Sequence, residues 1–275
     1  GFPWNLIAFS FSNNIYFIQI LSVIGTYSFN LFCISLFTVP AIFILRQSKK
    51  EIIVCFFFAL ISIGFLIFGT IKNNNFNSLE SVKNTYSIKA ISSSISLDRF
   101  YSKQDELKII KELIALSAPK KKEPTIFLWP EGIITDSYVR DMDIYKNLFS
   151  DNFGDDDLII IGINSVENKG GKNLIFNSMA VFNNKLDLIQ KYNKVNLVPF
   201  GEFMPIENAL GSIGFKTITN EHQSFSSGSG RKPFNIKNDK IDLILLPLIC
   251  YEIIYSGKLS KNENFDYIIK DTFML

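Results

Sequence analysis

From Gly1 to Leu45 the chain carries no charged side chain and no histidine, and its first charge is Arg46. Residues 52–71, IIVCFFFALISIGFLIFGTI, are uncharged again. These absences exclude a conventional soluble N-terminal region, because a core helix of such length keeps a polar face. About twenty helical residues rise ~30 Å, which matches the hydrocarbon thickness of a bilayer. Residues 52–71 are therefore expected to span a membrane. A second span is expected over 27–45, YSFNLFCISLFTVPAIFIL, kinked at Pro40. Residues 1–26 are apolar but broken by Gly, Pro and Asn, so they read as an interfacial or re-entrant start, with Trp4 at headgroup level. A basic leader and a small-residue cleavage site are both missing, so no signal peptide is expected.

Cysteine is scarce as well. Three residues do not make a disulfide framework. Cys33 and Cys55 fall in the expected spans, where they read as packing residues. Cys250 alone lies outside. An excess of one charge sign is also missing: setting aside the three basic and one acidic residues of the first 71 leaves 25 of each. A nucleic-acid partner is not expected from that balance. The short loop RQSKKE, 46–51, holds Arg46, Lys49 and Lys50, and such loops stay cytoplasmic. Everything beyond about residue 72 should then be extracytoplasmic. A lone thiol in that oxidising compartment is a liability unless buried or used.

What is present beyond the spans reads as a layered α/β domain. Residues 72–85 are a polar, Asn-rich linker, and 86–275 form the domain. Strands are expected at 86–92, 125–129, 157–165, 173–183, 241–250 and 265–270, with a tight turn at Asn183-Asn184 leading into KLDLIQKYNK. Helices are expected over 102–116, started by Ser102 and Asp105 in the manner of a capping box, and over 139–149. Several strands lack a polar face, so both faces should be covered, with sheets packed together and helices outside. SFSSGSGRKP, 224–233, reads as a flexible loop, and its glycines do not match a phosphate-binding fingerprint.

Three residues invite a chemical reading. Cys250 ends the apolar run IDLILLPLIC; as a small hydrophobe it could simply fill a core, or it could be a nucleophile exposed where a strand turns. Glu131 follows the buried strand TIFLW, after Pro130 ends the ladder, and could equally be a cap or surface carboxylate. Lys194 in YNKVNLVPFGE, eight residues before Glu202, would by itself read as solvated. Taken together, WPEG, YNKVNLVPFGE and LICYE, in the order Glu, Lys, Cys, resemble the nitrilase superfamily. More narrowly, LVPFGE-x-x-P, ICYE, the opening GFPW and the attached spans resemble the apolipoprotein N-acyltransferase family.

That resemblance implies an α-β-β-α sandwich preceded by transmembrane helices, on the inner membrane with the catalytic domain periplasmic. It implies that Cys250 takes an acyl chain from a phospholipid as a thioester. The acyl chain then passes to the free amine of a diacylglyceryl-cysteine at an apolipoprotein's N-terminus. Glu131 would be the base, Lys194 the oxyanion partner, and Glu202, Tyr251 and Glu252 supporting residues. No metal or cofactor is called for, and the single histidine, His222, reads as structural or solvated. Lipid substrates need a site that faces the bilayer. The apolar loop 203–215, led by Phe203 and Met204, is expected either to act as a lipid-touching lid or to pack on its own domain. The chain departs from the family in two ways. It begins with only two spans, and it ends 25 residues after Cys250 with KDTF where the family has Asn-Asp-x-Trp-Phe. The domain is therefore expected to lack its closing strands and helix. The alternatives are a nitrilase-type amidohydrolase of small amides and a non-catalytic membrane-anchored fragment.

Overall fold

The computed structural model describes residues 6–45, 49–78, 86–93, 105–203, 224–254 and 267–271. Trp4, Met204 and His222 lie outside them, as does all of 203–215 except Phe203. The chain divides into two units, Gly1–Lys83 and Asn84–Leu275.

The first unit is helical because nothing in it offers the backbone a better partner than itself. After a 3₁₀ turn at Ile7–Phe11 come α1 (Ile15–Ile18), α2 (Leu21–Thr38), a 3₁₀ turn at Val39–Ala41, α3 (Ile42–Leu45) and α4 (Ile52–Asn77). The Asn14 side chain caps α1, accepting from the Phe17 N–H at 3.0 Å. Pro40 cannot donate to the helical ladder, and the helix tightens to 3₁₀ there. Two segments, Leu21–Leu45 and Ile52–Asn77, are long and apolar enough to cross a membrane. Both exceed the lengths read from sequence. The first begins at Leu21 rather than 27 because Gly25, at φ 74°, lets the helix run through an interruption closed to other residues. The second continues past 71 to Asn77, so 72–77 is helix rather than linker: extending a formed helix is far easier than starting one.

Phenylalanines knit this unit. Phe17 and Phe29 are buried together with Cys33, and the Phe11–Phe17 and Phe32–Phe65 rings lie 4.4 and 4.8 Å apart. Other large side chains point outward, with Phe56 and Leu60 72% and 73% exposed. An apolar surface of that kind suits lipid rather than water.

The second unit comprises β1 (Ser87–Ala90), α5 (Glu106–Ser117), β2 (Thr125–Leu128), β3 (Ile134–Tyr138), α6 (Lys146–Asn152), β4 (Leu158–Lys169), β5 (Lys172–Asn183), β6 (Leu188–Asn193), β7 (Phe234–Lys237), β8 (Asp242–Ile249) and β9 (Tyr267–Asp271). One sheet has the order β1-β2-β4-β5-β6, with β3 also on β4, and the other has the order β7-β8-β9. Alternation along each strand sorts side chains to two faces. Ile126, Ile160, Met179 and Val181 meet Phe234, Ile236, Leu243 and Leu245, so the two sheets pack face to face. Phe127, Ile159, Ile161 and Phe182 meet Ile110, Leu113 and Ile114 of α5 and Phe149 of α6. Helix, sheet and sheet are thus three layers of the expected α-β-β-α order; a second helical layer is not among the described residues.

Three local readings need correction. Strands β3 and β7 were not expected from sequence, since both are short and β3, ITDSY, is polar enough to pass for a loop. Asp105 is itself the N-cap of α5, accepting from the Lys108 N–H at 3.2 Å. Residues 139–145 are 3₁₀, and only 146–152 are α-helical.

In the first unit Gly69 meets the backbone of Tyr16 so closely that a Cβ there would fall 1.7 Å from the Tyr16 carbonyl oxygen. Gly69→Val is therefore expected to force the two segments apart and cost on the order of 1–3 kcal/mol. The measurement is the unfolding midpoint of the chain in detergent micelles; an unchanged midpoint would refute this packing.

Candidate active site

Strand directions decide where the polar groups meet. β2 is parallel to β4, while β5 is antiparallel to both β4 and β6. β2, β4 and β6 therefore run the same way, and their C-terminal ends share one side of the sheet. Glu131 follows β2 there, and Lys194 follows β6. The Glu131 turn is anchored from behind. Trp129 is fully buried, its backbone N–H donates to the Ile160 carbonyl at 2.8 Å, and its indole N–H donates to Ser117 Oγ at 2.9 Å. Gly132 closes the turn at φ 56°, a backbone state that glycine adopts without a Cβ clash.

Lys194 is 1% exposed yet charged, and its surroundings explain why. Its Nζ lies 2.8 Å from Glu202 Oε1 and 3.5 Å from Glu131 Oε1. Burial pulls the ammonium's pKa down and is the largest single influence. Glu131, Glu202 and Cys250 together outweigh it, and the pKa stands above its ordinary 10.5. Cys250 is thus close enough for its sulfur to act electrostatically on the ammonium. Glu202 is fixed in turn: its other oxygen accepts from the Val198 N–H at 2.8 Å.

Cys250 follows β8 at φ 49°, a left-handed conformation that costs a non-glycine residue about 1–2 kcal/mol, and opens a 3₁₀ turn to Ile254. Glu252 holds that turn. It is fully buried, and one of its oxygens accepts from the Ile249 N–H at 2.9 Å. The other accepts from Tyr192 Oη–H at 2.8 Å, from the Val195 and Asn196 N–H groups at 3.0 Å each, and from Arg231 Nη2 at 2.9 Å. One carboxylate therefore ties the cysteine turn on the second sheet to the lysine loop on the first. Tyr192 is pushed well up, by burial first and then by the Glu252 charge, so it stays a neutral donor. Burial pulls the Arg231 pKa down, but Tyr192 and Glu252 more than compensate.

The segment 224–233 corrects the expected flexible loop. The Phe225 N–H donates to the Glu202 carbonyl, Ser226 N–H to Ile175, and Gly228 N–H to Lys194, at 2.7–2.9 Å. Ser227 Oγ donates to the Val195 carbonyl at 2.6 Å. It is a strap bonded across the site-bearing chain. At Gly228 a Cβ would fall 2.1 Å from the Asn193 carbonyl oxygen, so the approach requires glycine.

Of the residues singled out from sequence, Glu131, Lys194 and Glu202 share one hydrogen-bonded group, with the Cys250 sulfur in electrostatic range. Glu252 lies behind the cysteine turn, and Tyr251 sits within it, partly buried. Phe203 is also partly buried, its carbonyl accepting from the Phe200 N–H at 2.8 Å. Asn177, Tyr192 and Arg231 escaped the sequence reading. The available signal for Asn177 was a polar residue in the otherwise apolar strand LIFNSMAVF. This arrangement offers a thiol, a carboxylate that is 13% exposed, and a fixed cation beside them. Those are the parts needed for nucleophilic attack on a carbonyl.

Two measurements bear on this electrostatic frame. Arg231→Met would leave Glu252 buried without its charge partner, and is expected to cost about 3–5 kcal/mol in chemical denaturation. A loss under ~1 kcal/mol would show the pair to be incidental. The folded pKa of Lys194 lies above its unfolded value of 10.5. Its pairing should therefore stabilise the fold fully below that pH and fade as pH climbs through the raised folded pKa. The stability gap between the native chain and Lys194→Met should stay flat from pH 7 to 10; a decline within that range would contradict the pairing.

No family model matches the chain. Curated relatives named apolipoprotein N-acyltransferase do: one from Caulobacter vibrioides is 25% identical over 277 residues, covering 98% of this chain and 51% of its own length. One from Agrobacterium fabrum is 25% identical, covering 94% and 49%, and one from Rhizobium rhizogenes is 27% identical with the same coverage. The chain spans about half the length of the curated relatives it matches. Structural matches include a carbon-nitrogen hydrolase from Helicobacter pylori G27, 19% identical with a TM-score of 0.35 over 60% of this chain and 51% of that one. They also include a nitrilase-superfamily amidase from Nesterenkonia AN1, 13% identical with a TM-score of 0.41 over 70% and 68%. Over nearly all of its own length, then, this chain is similar to about half of an apolipoprotein N-acyltransferase.

Proposed function

We propose that this chain transfers a fatty acyl group through Cys250 to the N-terminal amine of a lipoprotein. The observation that carries the reading is the buried Lys194 ammonium, held between Glu131 and Glu202 and in electrostatic range of the Cys250 sulfur. The named relatives support it independently.

In the first half-reaction Glu131 accepts the thiol proton as sulfur attacks the ester carbonyl of a phospholipid. The tetrahedral oxyanion is met by Lys194 and by the backbone N–H of Tyr251, donors fixed before the reaction begins. Collapse breaks the C–O bond, and the lysophospholipid leaves with the proton returned from Glu131. In the second half-reaction the α-amine of a diacylglyceryl-cysteine attacks the thioester and Glu131 takes the amine proton. The S–C bond then breaks, and the thiol is re-protonated. An amide is more stable than a thioester, so the transfer runs forward. Glu202 holds Lys194 in place, and Glu252 holds the cysteine turn.

Both substrates are lipids, and each buried CH₂ resists leaving the bilayer by ~0.8 kcal/mol. The two apolar helices supply the anchor, in an inner membrane crossed more than once. The basic loop 46–51 sets the catalytic unit on the periplasmic face. Trp4, Phe203 and Met204 remain candidate lipid contacts.

The test is intact-mass analysis of the chain in phospholipid nanodiscs. The expected result is a mass gain of one acyl chain on Cys250, labile to hydroxylamine, absent in Cys250→Ala and formed roughly 10²–10⁴-fold more slowly in Glu131→Gln. Native protein that never gains this mass, or that releases ammonia from small soluble amides instead, would refute the proposal.

A further inference from the structure

Asn177 lies on β5, paired with Asn164 of β4, and is 8% exposed. Its carbonyl accepts the Lys194 N–H at 2.9 Å, so the sheet register sets the two residues side by side. Its Nδ2 lies 2.7 Å from Glu131 Oε1 and 2.7 Å from Glu202 Oε1. An amide nitrogen has two protons, and here each meets a carboxylate. An amide oxygen in that place would face two acceptors, so the orientation follows from the neighbours. Lys194 Nζ approaches the same two oxygens. Donor and acceptor alternate around a closed ring: Asn177, Glu131, Lys194, Glu202.

We infer that Asn177 is a positioning residue that keeps Glu131 ready as the base for Cys250. This rests on the proposed acyl-transfer reading. Two carboxylates sharing one ammonium leave the pocket with an uncompensated negative charge. The amide supplies donors to both anions without adding charge, and so fixes where each carboxylate oxygen sits. It also occupies Glu131 Oε1, leaving the second oxygen for the thiol proton. The charged groups around Glu131 are Lys194 from the end of β6 and Glu202 from the loop beyond it, and the Cys250 sulfur at the end of β8 acts on Lys194. Arg231 and Glu252 are paired with each other. Without the amide, Glu131 loses the donor that holds its Oε1, and its second oxygen is no longer held in one place.

The experiment follows p-nitrophenol release on acylation of Cys250 by p-nitrophenyl butyrate at pH 7 over a range of ester concentrations, using the full chain in nanodiscs. Asn177→Leu is expected to lower the maximal acylation rate roughly 10–100-fold while the half-saturating ester concentration stays within about twofold. Asn177→Gln, which keeps the amide donors, is expected to recover part of that rate, so the test survives if the Leu variant fails to fold. A loss that appears only as weaker saturation, or a Gln variant no better than Leu, would show a merely structural role and overturn the inference. So would unchanged release. The ester is soluble and activated. A lowered maximal rate in a chain that never takes an acyl group from phospholipid would therefore sink the lipid reading and leave this one standing.

Discussion

A buried ammonium must be answered by charge nearby, and the second unit is organised around that requirement. Lys194 leaves water almost completely, and two carboxylates and their own donors follow it inward. Taking any one of those charges away would strand the others in a poorly solvated place, where an unpaired ion costs several kcal/mol. The cluster is therefore all or nothing. Its members come from segments far apart in sequence, so the fold must be complete before the charges can be satisfied.

The layered core makes that convergence possible. Strands of like direction end on one side of the larger sheet and deliver Glu131 and Lys194 there. Cys250 arrives from the other sheet, at the end of β8, with its neighbours packed into the inter-sheet core. The separation of the Cys250 thiol from the Lys194 ammonium is thus a property of how two sheets stack. Glu252 spans that junction through hydrogen bonds to both sides. The strained turn at Cys250 persists because this carboxylate and the core together over-determine it.

Much of this was legible in the sequence, and the reasons for the exceptions are physical. Uncharged runs announced the two apolar helices, but not their ends, because Gly25 and Asn-rich residues 72–77 are tolerated once a helix has formed. Strands such as LIIIGINS and LILLPLI were plain from their apolar runs. The strand ITDSY was not, because its face is half polar. Glu131, Lys194 and Cys250 stood out through their motifs, whereas Asn177 and Arg231 carry no motif. Their importance comes from register and from the strap's path, which local sequence does not encode. Gly- and Ser-rich composition suggested mobility in 224–233, yet the backbone N–H groups of Phe225, Ser226 and Gly228 find carbonyls across it.

That strap holds on through its main chain at Phe225, Ser226 and Gly228 and through the side chains of Ser227 and Arg231. Most of its side chains could be exchanged without touching the bonds that bind it to Glu202, Ile175 and Lys194. Gly228 could not, since any side chain there meets the Asn193 carbonyl. Sequence drift along this stretch should therefore be narrow at one position that has no side chain at all, at Ser227, whose hydroxyl reaches the Val195 carbonyl, and at Arg231, whose guanidinium reaches Glu252, and broader elsewhere.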